Sequence, residues 1–165
     1  METTSWSKFK LCADYNTDMR SLYLAWTTPA GLEKWFLRKA DFYTVPQRLR
    51  GNNEYILKED TYSWYWHGYD NAVSQKGTIL EANGQDLLRF TFTGGSIVNV
   101  KFSTRNGLTI VELEQTNIPE ESDPEKNLLV QCQTGWIFYL TNLKSVIEGG
   151  KDLRNKRVDL PSCFK

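Results

Sequence analysis

The sequence has a single histidine, and its three cysteines, Cys12, Cys132 and Cys163, lie far apart. No CxxC pair exists, so the close ligand spacing of a Cys/His zinc site is missing and no metal is expected. An odd, scattered set of thiols reads as idle side chains in a reducing compartment. Net charge is lacking too, because twenty basic residues face twenty acidic ones. A general polyanion binder needs a basic excess, so no nucleic acid is expected as a partner. No apolar run approaches the roughly 18 residues of a membrane span, and Met1 to Ser5 hold no signal-peptide core. Cys163 is third from the end rather than fourth, which excludes a prenylation signal. The expectation is a soluble, cytoplasmic protein with no membrane attachment.

Catalytic motifs are equally sparse. Gly94-Gly95 has neither the following helix nor the lysine of a phosphate loop. His67 sits between Trp66 and Gly68, and no Cys or Ser stands at a recognisable nucleophile spacing. The acidic pairs Glu59-Asp60 and Glu120-Glu121 fall at strand or loop ends and read as solvated. No cofactor is expected. What the sequence does hold is aromatic residues: six Trp, eight Tyr and eight Phe, 13% of the chain. Such an excess implies a thick core or a wide apolar cavity. At 165 residues, one domain can bury roughly 70% of the unfolded chain's surface.

The pattern along the chain predicts an α+β order. Phe9, Leu11 and Ala13 lie two apart, as a half-buried strand requires, within a stretch that begins at Trp6. Asn16-Thr17-Asp18 offers N-cap side chains, and Met19, Leu22, Tyr23 and Trp26 then mark an amphipathic helix. Thr28-Pro29 caps and starts a second short helix, whose apolar face is Leu32, Trp35 and Phe36. Six strands are predicted next: Ala40 to Val45, Tyr55 to Tyr69, Gln75 to Ala82, Leu87 to Thr93, Ile97 to Thr104 and Leu108 to Thr116. Asn106-Gly107 is a two-residue hairpin signal, since both central residues of that turn need positive φ. Short turns make the strands antiparallel neighbours.

Ser122-Asp123-Pro124 predicts the start of a long helix that Gly149-Gly150 stops, roughly 37 Å at 1.5 Å per residue. Its stripe is Leu129, Cys132, Trp136, Leu140, Leu143 and Ile147, for which the sheet is the available partner. The domain is assigned to residues 1–154 and a polar, loose tail to residues 155–165, with looseness expected from Lys151 onward. Lys151, Arg154, Lys156 and Arg157 read as favourable charge at a helix C-terminus and a solvated tail.

Three stretches carry a family resemblance. Thr27-Thr28-Pro29-Ala30-Gly31-Leu32-Glu33-Lys34-Trp35-Phe36 resembles a "T-x-P-x-G-L-x-x-W-F" helix start. Lys76-Gly77-Thr78-Ile79-Leu80-Glu81 through Leu88-Arg89-Phe90-Thr91-Phe92 resembles a "G-x-I-L-E … L-x-F-T-W" hairpin, with Phe92 in place of the final Trp. Gly135-Trp136 through Leu140, Leu143 and Lys144 resembles a "G-W-x-x-x-L-x-x-L-K" helix. In this order they resemble the START-like (SRPBCC) superfamily, in the branch related to the C-terminal domain of heat-shock chaperone ATPase activators. The resemblance implies a helix-grip fold like that of the birch-pollen allergens, with a curved antiparallel sheet of about seven strands around the long helix. The full-length activators carry a further N-terminal domain, for which room is not expected here.

Three functions follow as expectations. One is a non-catalytic module holding an apolar or amphipathic small molecule between sheet and helix, walled by Trp64, Trp66, Phe90, Phe92, Phe102, Trp136 and Leu140. The same rings could instead fill the core. The second is an interaction protein, a stress-linked chaperone partner, that uses its outer surface; Tyr65, His67 and Tyr69 alternate to that side. The third is a cyclase-like enzyme with His67 as its candidate base.

Overall fold

The computed structural model describes residues 6–160. The readings of Met1 to Ser5 and of Cys163 lie outside these residues. The element order is β1 (Phe9–Tyr15), α1 (Met19–Thr27), α2 (Pro29–Glu33), β2 (Lys39–Tyr43), β3 (Thr61–Tyr65), β4 (Gln75–Ala82), β5 (Leu87–Thr91), β6 (Ile97–Arg105), β7 (Leu108–Thr116) and α3 (Leu128–Ile147). The strands form one antiparallel seven-stranded sheet in the order β1-β7-β6-β5-β4-β3-β2. Together with α3 across its buried face this is the helix-grip architecture. Among the described residues no helix is long and apolar enough to cross a membrane.

Alternation sets the two faces of the sheet. Along β6, Val98, Val100 and Phe102 are buried, and along β7 Thr109, Val111, Leu113 and Gln115 are buried. Their neighbours point outward, where Lys10 and Glu112 pair at 3.3 Å. The β6–β7 register runs unbroken from Ile97↔Thr116 to Arg105↔Leu108. Asn106 (φ 52°) and Gly107 (φ 77°) supply the two positive φ angles that close this hairpin. Polar contacts occupy backbone groups on both edge strands. On β2 the Ala40 N–H donates to Glu33 Oε1 at 3.0 Å, and Arg50 N–H donates to the Phe42 carbonyl at 2.8 Å. On β1 Lys144 Nζ donates to the Asp14 carbonyl at 2.8 Å.

The helices begin where side chains satisfy their first N–H groups. Asp18 accepts from Ser21 N at 2.8 Å, and Thr28 Oγ1 accepts from Gly31 N at 3.0 Å. In α3 the start moves four residues beyond Asp123-Pro124. Asp123 closes a local turn by accepting from Glu125 N, and Asn127 becomes the cap through Val130 N at 3.1 Å. The helix is therefore roughly 30 Å long. Gly149, at φ 83°, ends it.

Two other expectations are corrected. The strand predicted over Tyr55 to Tyr69 shrinks to β3, because Asp60 is 2% exposed and organises the preceding turn. Asp60 accepts from Leu57 N at 2.8 Å and from the Arg50 guanidinium at both carboxylate oxygens, and Glu59 takes a positive φ. The segment from Lys151 is not loose throughout. Arg154 is 8% exposed, and its guanidinium donates to the carbonyls of Leu37 (2.9 Å), Glu33 (3.0 Å) and Lys34 (3.0 Å). These carbonyls lie at and just beyond the end of α2, where intrahelical donors run out. Asp152 holds the same guanidinium at 2.7 Å, and Asn142 on α3 donates to Asp152 at 3.1 Å. The basic cluster is thus part clamp, part surface.

Candidate functional site: an aromatic groove beside the long helix

The space directly beneath Trp136 is filled. Its ring stacks on Phe36 at 5.0 Å and on Trp26 at 5.9 Å between centroids. Its indole N–H donates to Gln115 Oε1 at 3.0 Å. Gln115 Nε2 in turn donates to Ser96 Oγ at 2.9 Å, and Ser96 Oγ donates to the Thr93 carbonyl at 2.7 Å. This chain bolts α3 to β7 and to the turn after β5. It satisfies the polar groups it buries, which is the condition for burying them.

Of the seven residues expected to wall a hollow, Trp64, Phe90, Phe102 and Leu140 belong to this packed interior and are at most 4% exposed. Trp64 stacks on Tyr62 at 3.9 Å and meets the edge of Phe90 at 5.2 Å. Phe102 lies against Tyr23 of α1 at 5.2 Å, and the Leu140 carbonyl accepts the Tyr15 hydroxyl at 3.0 Å. The physical reason is the cost of emptiness. A dry internal void of about 400 Å³ would cost about 10 kcal/mol at ~24 cal/mol per Å³.

The remaining three, half-buried Trp66 and Phe92 and buried Trp136, share one lining. They line a groove of about 420 Å³, open on one side, between α3, the residues after β3 and the turn after β5. Phe36, Tyr69, Val73, Tyr139, Leu128 and Cys132 complete its apolar wall, with Gln75, Thr93 and Gln131 as polar members. No Asp, Glu, Lys, Arg or His lines it. Phe36 is the hub: Trp66 and Tyr139 meet its ring edge-on at 5.7 and 4.9 Å. From α3 the groove takes Leu128, Gln131, Cys132, Gly135, Trp136 and Tyr139, one helical face at alternating steps of three and one. A second surface hollow of about 410 Å³ lies between α1, α2 and the end of α3, but its lining includes Lys34 and only Trp35 and Tyr55 as rings.

Burial acts on two titratable groups of the lining, Tyr139 and Cys132. Burial pushes the Tyr139 phenol up to about 12. Burial also pushes the Cys132 thiol up, against a hydrogen bond with Gln115 that pulls it down. His67 stands outside the lining. Burial lowers its pKa, and the nearby cations Arg154, Lys156 and Arg38 lower it further. Among the described residues no group of three or more His, Cys, Asp and Glu gathers in a way that could hold a metal ion.

Sequence reasoning passed over Phe36, Tyr69, Val73, Gln75, Leu128, Gln131, Gly135 and Tyr139 as lining. Tyr139 and Leu128 lie one step off the predicted stripe, so a wider apolar arc on α3 would have found them. Tyr69, expected on the outer side of a longer strand, lies instead in the loop after β3 and joins the groove; Val73 lies in the same loop without periodicity and gave no signal.

Comparison with known proteins fits this architecture. Residues 16–148 match the family model described as activator of Hsp90 ATPase homolog 1-like protein. The chain belongs to this family, within the START-like (SRPBCC) superfamily. Among curated proteins no sequence matches it. Several solved structures share the fold of this Hsp90-activator-like chain. The Aha1 dimer of Colwellia psychrerythraea aligns with TM-score 0.67 at 18% identity, over 87% of this chain and 98% of that one. PFC0360w, an HSP90 activator from Plasmodium falciparum, aligns with TM-score 0.60 at 21% identity, over 87% and 96%. CalU16 from Micromonospora echinospora aligns with TM-score 0.62 at 17% identity, over 85% and 75%. At these identities the likeness is one of fold.

Proposed function

We propose that this Hsp90-activator-like domain is a non-catalytic binding module that holds an apolar small molecule in the groove beside α3. One observation carries the reading: six aromatic side chains and no charged one line a surface groove of about 420 Å³. That volume suits a small ligand, and an apolar lining with a few polar groups is the common composition of such sites. The chemistry of an enzyme finds little purchase there, since no Asp, Glu, Lys, Arg or His lines the groove. The site differs from the enclosed hollow expected between sheet and helix, because the packed rings leave the opening at the side.

A thermal-shift and tryptophan-fluorescence screen with apolar aromatics and lipids tests it. A ligand that binds only the folded state raises the midpoint, by an increment that grows with its concentration over Kd. Trp66→Ala should abolish the increment. No response from a chemically broad library would count decisively against the groove.

A second reading is favoured by the family match itself: contact with an Hsp90-type chaperone through the outer surface. Purified chaperone, assayed for binding and ATPase rate with and without the domain, separates the two. Stimulation that survives Trp66→Ala but is lost on changing Tyr55, an exposed aromatic outside the groove, would favour the chaperone.

A further inference from the structure

Gly135 lies inside α3, seven residues after its first residue, where a glycine weakens a helix relative to alanine because its backbone is freer in the unfolded chain. Some glycines in this fold are demanded by packing. At Gly77 a Cβ would come within 2.5 Å of the Tyr62 hydroxyl. At Gly135 a Cβ would meet no atom within 4 Å. Neither backbone conformation nor a neighbouring side chain requires the glycine, and the space in front of it is the groove. It sits at the centre of the lining face of α3, between Cys132 and Tyr139 and beside Trp136.

Resting on the groove reading above, we propose that Gly135 is a specificity-determining residue, a notch that lets an uncharged, flat, polycyclic aromatic ligand lie against the α3 backbone. The missing side chain widens the groove, whose lining also includes Trp136, Trp66 and Tyr69. Flatness follows from walls that are themselves rings, which favour stacked or edge-on partners. Lack of charge follows from the lining: an ionised ligand group would lose its hydration with no opposite charge among the lining residues. Gln75, Thr93 and Gln131 leave room for neutral hydrogen-bonding groups on the ligand.

The test uses two dyes on one skeleton, neutral N-phenyl-1-naphthylamine and its sulfonated relative 1-anilinonaphthalene-8-sulfonate, titrated into the whole chain by fluorescence. The neutral dye is expected to bind wild type at least about tenfold more tightly than the sulfonate. Gly135→Ala is expected to raise Tm by roughly 2–4 °C, as an unstrained helical Gly→Ala change should. The same change should weaken the neutral dye by about tenfold, because its methyl fills the notch. Thr134→Ala, on the exposed side of α3, should leave binding unchanged. A lower Tm in Gly135→Ala would make the glycine a packing requirement and overturn the proposal. Undiminished dye binding by Gly135→Ala overturns the notch but leaves the groove reading standing, provided Trp66→Ala abolishes binding. Equal affinity for the sulfonate overturns the ligand class. No binding of the neutral dye by wild type overturns the notch, and the groove falls with it only if the broader library is also silent.

Discussion

Replacing Arg154 by leucine removes one guanidinium and leaves four groups without it. Three are the carbonyls of Leu37, Glu33 and Lys34, and the fourth is the Asp152 carboxylate. The Arg154 side chain is 4% exposed, so water cannot simply take its place. Each buried acceptor left without a donor costs about 1–3 kcal/mol, and breaking a buried ion pair by removing one partner costs about 3–5 kcal/mol. These overlap, because Asp152 is more exposed and keeps Lys156 at 2.8 Å. A net loss of about 3–5 kcal/mol is expected. For a domain of this size that is a fall in Tm of roughly 10–15 °C, read by circular dichroism and confirmed by urea titration. Arg157→Ala is the control, since that side chain pairs with Asp159 at the surface and should cost under about 1 kcal/mol. A loss below about 1 kcal/mol for Arg154→Leu would refute the clamp and return the segment to a loose tail.

Other expectations are as direct. Trp136→Phe should cost about 2 kcal/mol more than Trp64→Phe, because the first orphans Gln115 Oε1 whereas the Trp64 indole N–H has no partner to lose; equal losses by urea denaturation would count against the Trp136–Gln115–Ser96 chain. Burial works against the Asp152 charge, but hydrogen bonds from Arg154, Lys156 and Asn142 hold its carboxyl well below the usual range. Its stabilising contribution is therefore present above the unfolded value of about 4 and lost as pH falls from there toward the depressed folded value. The Tm gap between wild type and Asp152→Asn should stay constant from pH 7 to about 5 and narrow below about pH 4, and a gap that widened in acid would contradict this. Gly107→Ala, at φ 77°, should lower Tm by roughly 2–4 °C through backbone strain of about 1 kcal/mol, opposite in sign to Gly135→Ala; scanning calorimetry of both reads the contrast.

Much of the fold was legible because local signals agreed. β4 and β7 end where alternation and turn residues place them, and Asn106-Gly107 closes its hairpin with the φ angles its residue types suggest. Legibility failed where a side chain acts at a distance. Asp123-Pro124 looks like a helix start, and nothing in a local window shows that Asn127 takes that role. Arg154 reads as one of several tail cations because its Leu37 acceptor is 117 residues away. For the site, the aromatic excess pointed to rings on α3 and β3; of these Trp136 lines the groove, whereas Trp64 is packed in the core. Whether rings meet or fail to meet is a matter of packing volumes, and Phe36, contributed from just beyond α2, decides it. The groove's outer wall, Tyr69 and Val73, belongs to a loop whose position no periodicity encodes.

The most direct test of the central account is a residue-resolved NMR titration of the isotope-labelled chain with N-phenyl-1-naphthylamine. Amide and side-chain shifts are expected at Trp66, Tyr69, Phe92, Cys132, Gly135 and Tyr139, with Phe102 and the outer face of the sheet silent. Shifts centred on Phe102 and Leu140, or confined to surface aromatics such as Tyr55, would contradict a ligand groove beside a filled core.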